Sequence, residues 1–152
     1  MQRWLMKSEP SDFCIDDLMK CPKQTEPWDG IRNYQVRNTM RDDMKIGDQA
    51  FFYHSSCKEP GIVGIMEIVS QAYADPTAFD PVHKHFDPKS DPDNPRWLLV
   101  DVRFKEKFEK ILTLTELRTN KSLAAMRLLQ RGCRLSITPV SQREWKAIVQ
   151  MG

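Results

Sequence analysis

Residues 97–104 read WLLVDVRF. Leu98, Val100, Val102 and Phe104 share one face, and Trp97, Leu99, Asp101 and Arg103 the other. That period of two is what a strand packed in a sheet requires. Working outward, Gln49–His54 carries Phe51, Phe52 and Tyr53, and Ile62–Val69 is rich in β-branched side chains, so both read as strands. Shorter strands are predicted at Arg3–Lys7, Lys110–Leu112 and Arg134–Ile137. Helices are predicted at Ser11–Lys20, Tyr34–Met44 and Ser122–Gln130. A last one opens with the capping box Ser141-x-x-Glu144 and turns Trp145 and Ile148 inward. Strands scattered among helices without regular βαβ spacing predict an α+β fold, with a small, mostly antiparallel barrel or curled sheet.

The 152 residues are enough for one domain with a sizeable core, spanning 1–152. A net charge of +2, with no cluster of Lys and Arg, is no polybasic nucleic-acid signature. Cys14, Cys21, Cys57 and Cys133 contain no CxxC pair, which argues against structural zinc. No signal peptide opens the chain, and its apolar runs fall far short of the roughly 20 residues that span a bilayer. The expectation is an intracellular protein with reduced thiols and no membrane partner: cytoplasmic, or nuclear in a eukaryote.

Catalytic signatures are missing: no G-x-S-x-G, Walker A, G-x-G-x-x-G or H-E-x-x-H occurs. Neither a catalytic residue nor a cofactor is therefore predicted. Ala74–Pro95 holds five prolines, five aspartates, His83 and His85. A loop of that length is functional or tethered across a face. His83-x-His85 with Asp80 and Asp87 has the look of a ligand cluster. It lacks a further ligand at a recognisable interval, so a solvated loop without metal is expected.

Residues 28–38, WDGIRNYQVRN, are poor core material: two Asn, two Arg, an Asp, a Gln, a Trp and a Tyr beside two aliphatic residues. Asn and Gln amides match the donor–acceptor edge of a nucleobase. Aromatic rings and guanidinium groups stack on base faces, worth about 1–3 kcal/mol per base. Lys7, Ser8 and Glu9 add a cation, a hydroxyl and a carboxylate at the end of a predicted strand. A structural reading competes, in which Trp28 and Tyr34 are core aromatics and the Asn residues form turns or caps.

Five blocks then line up: WLMKSEP (4–10), WDGIRNYQVRN (28–38), FFYHSSCKEPGIVG (51–64), DPKSDPDNPRW (87–97) and RLSITPV (134–140). In this order, over nearly the whole chain, they resemble the signature blocks of the EVE domain family. Ile31, Val36, Ser56 and Thr138 depart from the residues usual there, and Thr138, in place of a usual Gln, matters only if it reaches a ligand. The resemblance implies a PUA-like fold, a small β-barrel flanked by helices and related to the YTH and ASCH domains. It also implies a pocket for a modified nucleobase, foremost 5-methyl- or 5-hydroxymethylcytosine.

Residue types and block positions assign stacking to Trp28, Tyr53 and Trp97. Edge recognition falls to Ser8, Asn33 and the backbone of His54 and Ser55, with Asp29 accepting from an exocyclic amine. Lys7, Arg32, Arg37 and Arg134 are assigned to phosphates at the rim. Gly61, lacking a Cβ, lets backbone approach a ligand or simply turns a hairpin. The expected partner is DNA or RNA carrying a modified base, with a nuclease or repair protein supplying the output. Two other readings stay open: a small enzyme using Lys7, Glu9, Asp29 or His54, and an adaptor using the Pro-rich loop.

Overall fold

The computed structural model describes residues 1–131 and 135–152. Its centre is a six-stranded sheet built from β1 (Arg3–Ser8), β2 (Thr25–Pro27), β3 (Gln49–His54), β4 (Gly61–Ile68), β7 (Asp101–Thr113) and β8 (Ile137–Pro139), in the order β2-β7-β4-β3-β1-β8. β1 and β3 run parallel, Leu5 opposite Phe51 and Ser8 opposite His54; the other pairs are antiparallel. Register shifts in the β3–β4 and β4–β7 ladders bend and twist the strands as bulges do, and the sheet curls into a half-barrel. A second, two-stranded sheet pairs β5 (Tyr73–Ala74) with β6 (Leu98–Leu99).

Both faces of the main sheet are covered, and the alternation along each strand divides the core in two. Met6, Ala50, Phe52, Val63 and Met66 face one side, against Ile15 and Leu18 of α1 (Ile15–Lys20) and Val36 and Met40 of α2 (Tyr34–Asp42). Leu5, Phe51, Tyr53, Ile62 and Ile65 face the other. There they meet Leu117 of α3 (Leu114–Thr119), Leu123, and Trp145 and Ile148 of α4 (Gln142–Met151). Trp145 stacks on Phe51 at 3.9 Å between ring centroids. The capping box expected at Ser141 and Glu144 is present.

Residues 98–104 belong to two strands rather than one. Leu98–Leu99 pairs with Tyr73–Ala74, while Asp101 onward pairs with β2 and β4. β7 then continues to Thr113 and absorbs the short strand expected at 110–112. The first helix begins at Ile15 rather than Ser11, because Glu9 turns the chain by accepting from the amides of Asp12 and Phe13 at 2.9 Å each. Ser122–Gln130 resolves into two 3-10 turns, Lys121–Leu123 and Arg127–Leu129. The strand expected from Arg134 lies partly outside the described residues and is seen at Ile137–Pro139. Gly61 faces strand rather than ligand: a Cβ there would strike the Leu112 carbonyl. No helix among the described residues is long and apolar enough to cross a membrane.

Candidate nucleobase-binding cleft

A parallel strand pair sets its two carboxyl ends side by side, and here the chain leaves them in different directions. After Ser8 it turns toward α1; after His54 it turns back into β4. The ends are tied, with Ser55 N–H donating to the Ser8 carbonyl at 3.0 Å and Ser8 Oγ donating to the Phe13 carbonyl at 2.7 Å. Above them opens a cleft of about 670 Å³, within the ~300–1,000 Å³ usual for small-ligand sites. Phe13, Trp28 and Ile31 supply its apolar surface and Lys7, Ser8, Ser55 and Asp29 polar groups. Trp28 is held edge-on to Phe52 at 5.3 Å and to Phe13 at 6.3 Å.

The remaining wall comes from the Pro-rich segment, which is largely exposed as expected but tethered to the body of the domain. Its stem is closed by the β5–β6 pair and by Asp75 N–H donating to the Trp97 carbonyl at 3.0 Å. Between these ends it forms a strap. Asp75, fully buried, accepts from Gly30 N–H, Thr77 N–H and Thr77 Oγ, and pairs with Arg32 at 3.1 Å. Burial alone raises a carboxyl pKa. The hydrogen bonds from Thr77, Gly30 and Arg32 outweigh it and hold Asp75 below its ordinary value. Farther along, Lys84 Nζ reaches Asp12 at 3.0 Å, bracing the strap to the segment before α1.

Arg32 is the clamp. Its guanidinium donates twice to the His85 carbonyl and once each to Ile31 O, Asp75 and Thr77 Oγ1. An Arg has five N–H donors, so none is left for a phosphate. The rim role expected for Arg32 is corrected by this geometry. Lys7 stays at the cleft with no ion pair among the described residues.

His83, His85 and Asp29 place ligand atoms within 4.8 Å of one another. Asp80 and Asp87 do not join them: Asp80 accepts from Val82 N–H and Asp87 from Trp97 Nε1 at 2.6 Å. His83 Nδ1 accepts from His85 N–H at 3.0 Å. A neutral imidazole accepting at one nitrogen carries its proton on the other, so in this arrangement His83 offers Nε2–H as a donor. Beside it, Asp29 accepts. Burial pushes the His85 pKa down, against the pull of Asp29, which favours the neutral ring. The three form a donor–acceptor edge suited to a flat polar ligand.

Gly30 is required at this contact. Its φ is +81°, and a Cβ would lie 2.5 Å from His85 Cε1. Gly30→Ala is expected to cost about 1–3 kcal/mol through the left-handed backbone and to displace the His85 ring. Urea denaturation and the His85 ring resonances check this; unchanged values for both would remove Gly30 from the wall.

Of the residues singled out from sequence, Lys7, Ser8, Trp28, Asp29, Arg32 and Ser55 line the cleft. Asn33 does not: its side chain caps α2 by accepting from Val36 N–H at 3.0 Å. Tyr53 lies on the opposite face of β3 from Phe52, buried in the second core. The His54 side chain is turned to α1, where Nε2 accepts from Ile15 N–H at 3.2 Å and burial lowers its pKa; the residue is not among those lining the cleft. Trp97 anchors the strap through Asp87 and stacks on Tyr34 at 4.7 Å. Arg37 donates to the Arg96 carbonyl and to Asn38. Arg134 lies outside the described residues. Thr138, buried opposite Leu5, does not line the cleft. Sequence reasoning missed Phe13, Gly30, Ile31 and Lys84 as lining residues and set both strap histidines aside.

The EVE domain family model matches residues 2–151. The chain belongs to the EVE domain family. Human thymocyte nuclear protein 1 is 46% identical over 165 residues, covering 97% of this chain and 72% of that protein. A crystal structure of a Pseudomonas syringae protein superposes with a TM-score of 0.93 at 46% identity, covering 98% of each chain. The structure of human THYN1 protein in complex with 5-methylcytosine-containing DNA superposes at 0.92, with 45% identity over 99% of this EVE chain and 97% of that one.

Proposed function

We propose that this chain is a non-catalytic reader of a modified cytosine in DNA and receives the extruded base in the cleft at the carboxyl ends of β1 and β3. The observation that carries the reading is the pairing of apolar Trp28, Phe13 and Ile31 with the Asp29–His83–His85 edge in one cleft. The similarity to human THYN1 protein, solved with 5-methylcytosine-containing DNA, supports cytosine as the base. Asp29 accepts from its exocyclic amine, and the apolar side chains take the 5-substituent. Extrusion costs a few kcal/mol, least at modified or unpaired positions, and stacking and edge hydrogen bonds offset it. Lys7 meets a flanking phosphate. Any chemical output falls to a partner such as a nuclease or repair enzyme.

Titration against duplexes carrying cytosine, 5-methylcytosine or 5-hydroxymethylcytosine at one position tests this. A methyl group in an apolar pocket discriminates by about 1–3 kcal/mol, so a preference of ~10-fold or more for one modified form is expected, with affinity for all three duplexes reduced in Asp29→Asn. The salt dependence is expected to be shallow, since each phosphate contact contributes a log–log slope of about −0.9 and few cations line the cleft. Equal binding to all three duplexes, or a slope matching six or more phosphates, would sink the single-base reading.

A further inference from the structure

Val82 is 92% exposed, although most of the other valines are buried in the two cores. It is not loose. Asp80, Pro81, Val82 and His83 form a turn in which His83 N–H donates to the Asp80 carbonyl at 3.0 Å and Val82 N–H to Asp80 Oδ1 at 3.1 Å. Asp first and Pro second are the residues that pre-set such a turn, leaving Pro81 and Val82 at its corners. The next three residues, His83, Lys84 and His85, line the cleft. Lys84 braces this end of the strap against Asp12. An uncharged tip, formed by a hydrogen-bonded turn, therefore stands at the lip of the cleft, and nothing among the described residues covers it.

A base drawn from a duplex into this cleft leaves a gap in the stack beside the lip. Proteins that unstack DNA commonly insert an apolar side chain between bases, which replaces part of the lost stacking. We propose that Val82 is such a wedge, entering double-helical DNA and filling the space vacated by the extruded base. The inference rests on the base-reading function proposed above. It explains why a β-branched apolar residue, with few side-chain rotamers to lose on insertion, occupies an exposed corner of a tethered strap. It also separates two tasks, since the cleft recognises the base and the tip holds the duplex open.

Duplex and single-stranded oligonucleotides of one sequence, each with a single 5-methylcytosine, separate these tasks. A 2-aminopurine next to the modified base reports unstacking by fluorescence. Val82→Gly is expected to bind the duplex ~10-fold more weakly and to lose most of the 2-aminopurine signal, because unstacking is no longer offset. Its affinity for the single strand should stay within about twofold of wild type, where no stack has to be opened. Val82→Leu should keep both. If Val82→Gly binds the duplex like wild type, or loses duplex and single strand equally, Val82 is not a wedge. Wild-type protein that ignores 5-methylcytosine in both oligonucleotides would instead overturn the reading beneath it, and the wedge with it.

Discussion

Asp75→Ala is expected to destabilise the fold by about 3–5 kcal/mol, the cost of breaking a buried ion pair by removing one partner. Two losses combine. The Arg32 guanidinium keeps its carbonyl partners but loses the one carboxylate paired with it among the described residues, and the amides of Gly30 and Thr77 lose their acceptor. Buried donors left unmade cost about 1–3 kcal/mol apiece. For a domain of this size, 1 kcal/mol moves Tm by roughly 2–4 °C, so a fall of 6 °C or more is the expected result. Asp75→Asn keeps one acceptor oxygen and should lose about half as much. The pH dependence has a definite sign. The folded-state pKa of Asp75 is depressed, so its contribution is complete above the unfolded value of about 3.9 and fades as pH falls through the folded value. The advantage of wild type over Asp75→Asn is therefore expected to be full at pH 7 and to shrink below about pH 4. Amide exchange at Gly30 and Thr77 should accelerate in both variants. An Asp75→Ala protein within 1 kcal/mol of wild type by urea denaturation would mean that the strap is held by other contacts.

That ion pair also marks where sequence reading stops. Strands were legible wherever side-chain alternation reports one buried face, and Gln49–His54 forms with the bounds read from its aromatics. Pairing partners were not legible. One unbroken alternation through residues 97–104 conceals a change of neighbour at Val100, whose carbonyl accepts from Trp28 N–H at 2.8 Å. The middle of β7, between the predicted segments at 97–104 and 110–112, was invisible for another reason. Beyond Arg103 the short β2 no longer pairs with it, so Lys105, Glu106 and Lys107 sit on a partly solvated strand and weaken the apolar signal. Position 33 shows the ambiguity of Asn, which matches a base edge and caps a helix equally well; an exposed helix start decides for the cap. His83 and His85 gain their meaning only from Asp29, more than fifty positions away in the chain, and no local spacing encodes that approach.

Trp28→Ala should be comparably costly, about 3–5 kcal/mol for a buried Trp truncated to Ala, and should remove the indole surface of the cleft. Its indole is wedged edge-on between Phe13 and Phe52, and its backbone N–H is fixed to Val100. The ring therefore belongs at once to the first core and to the cleft, and alanine confounds the two roles. Trp28→Phe separates them. Phenylalanine keeps an edge-to-face contact with Phe52, so the stability loss should fall to about 1–3 kcal/mol and the fold should survive. The stacking area offered to a base shrinks, and base–aromatic stacking is worth about 1–3 kcal/mol, so affinity for the preferred modified duplex should drop roughly 5- to 100-fold. Fluorescence adds an independent readout. A base stacked on Trp28 quenches its emission, and that quench should vanish in Trp28→Phe while residual binding is still seen by anisotropy. Full affinity together with an undiminished quench in Trp28→Phe would move the base off this ring and leave Trp28 as a core residue alone. Weakened binding with the quench abolished would make Trp28 the surface on which the base rests.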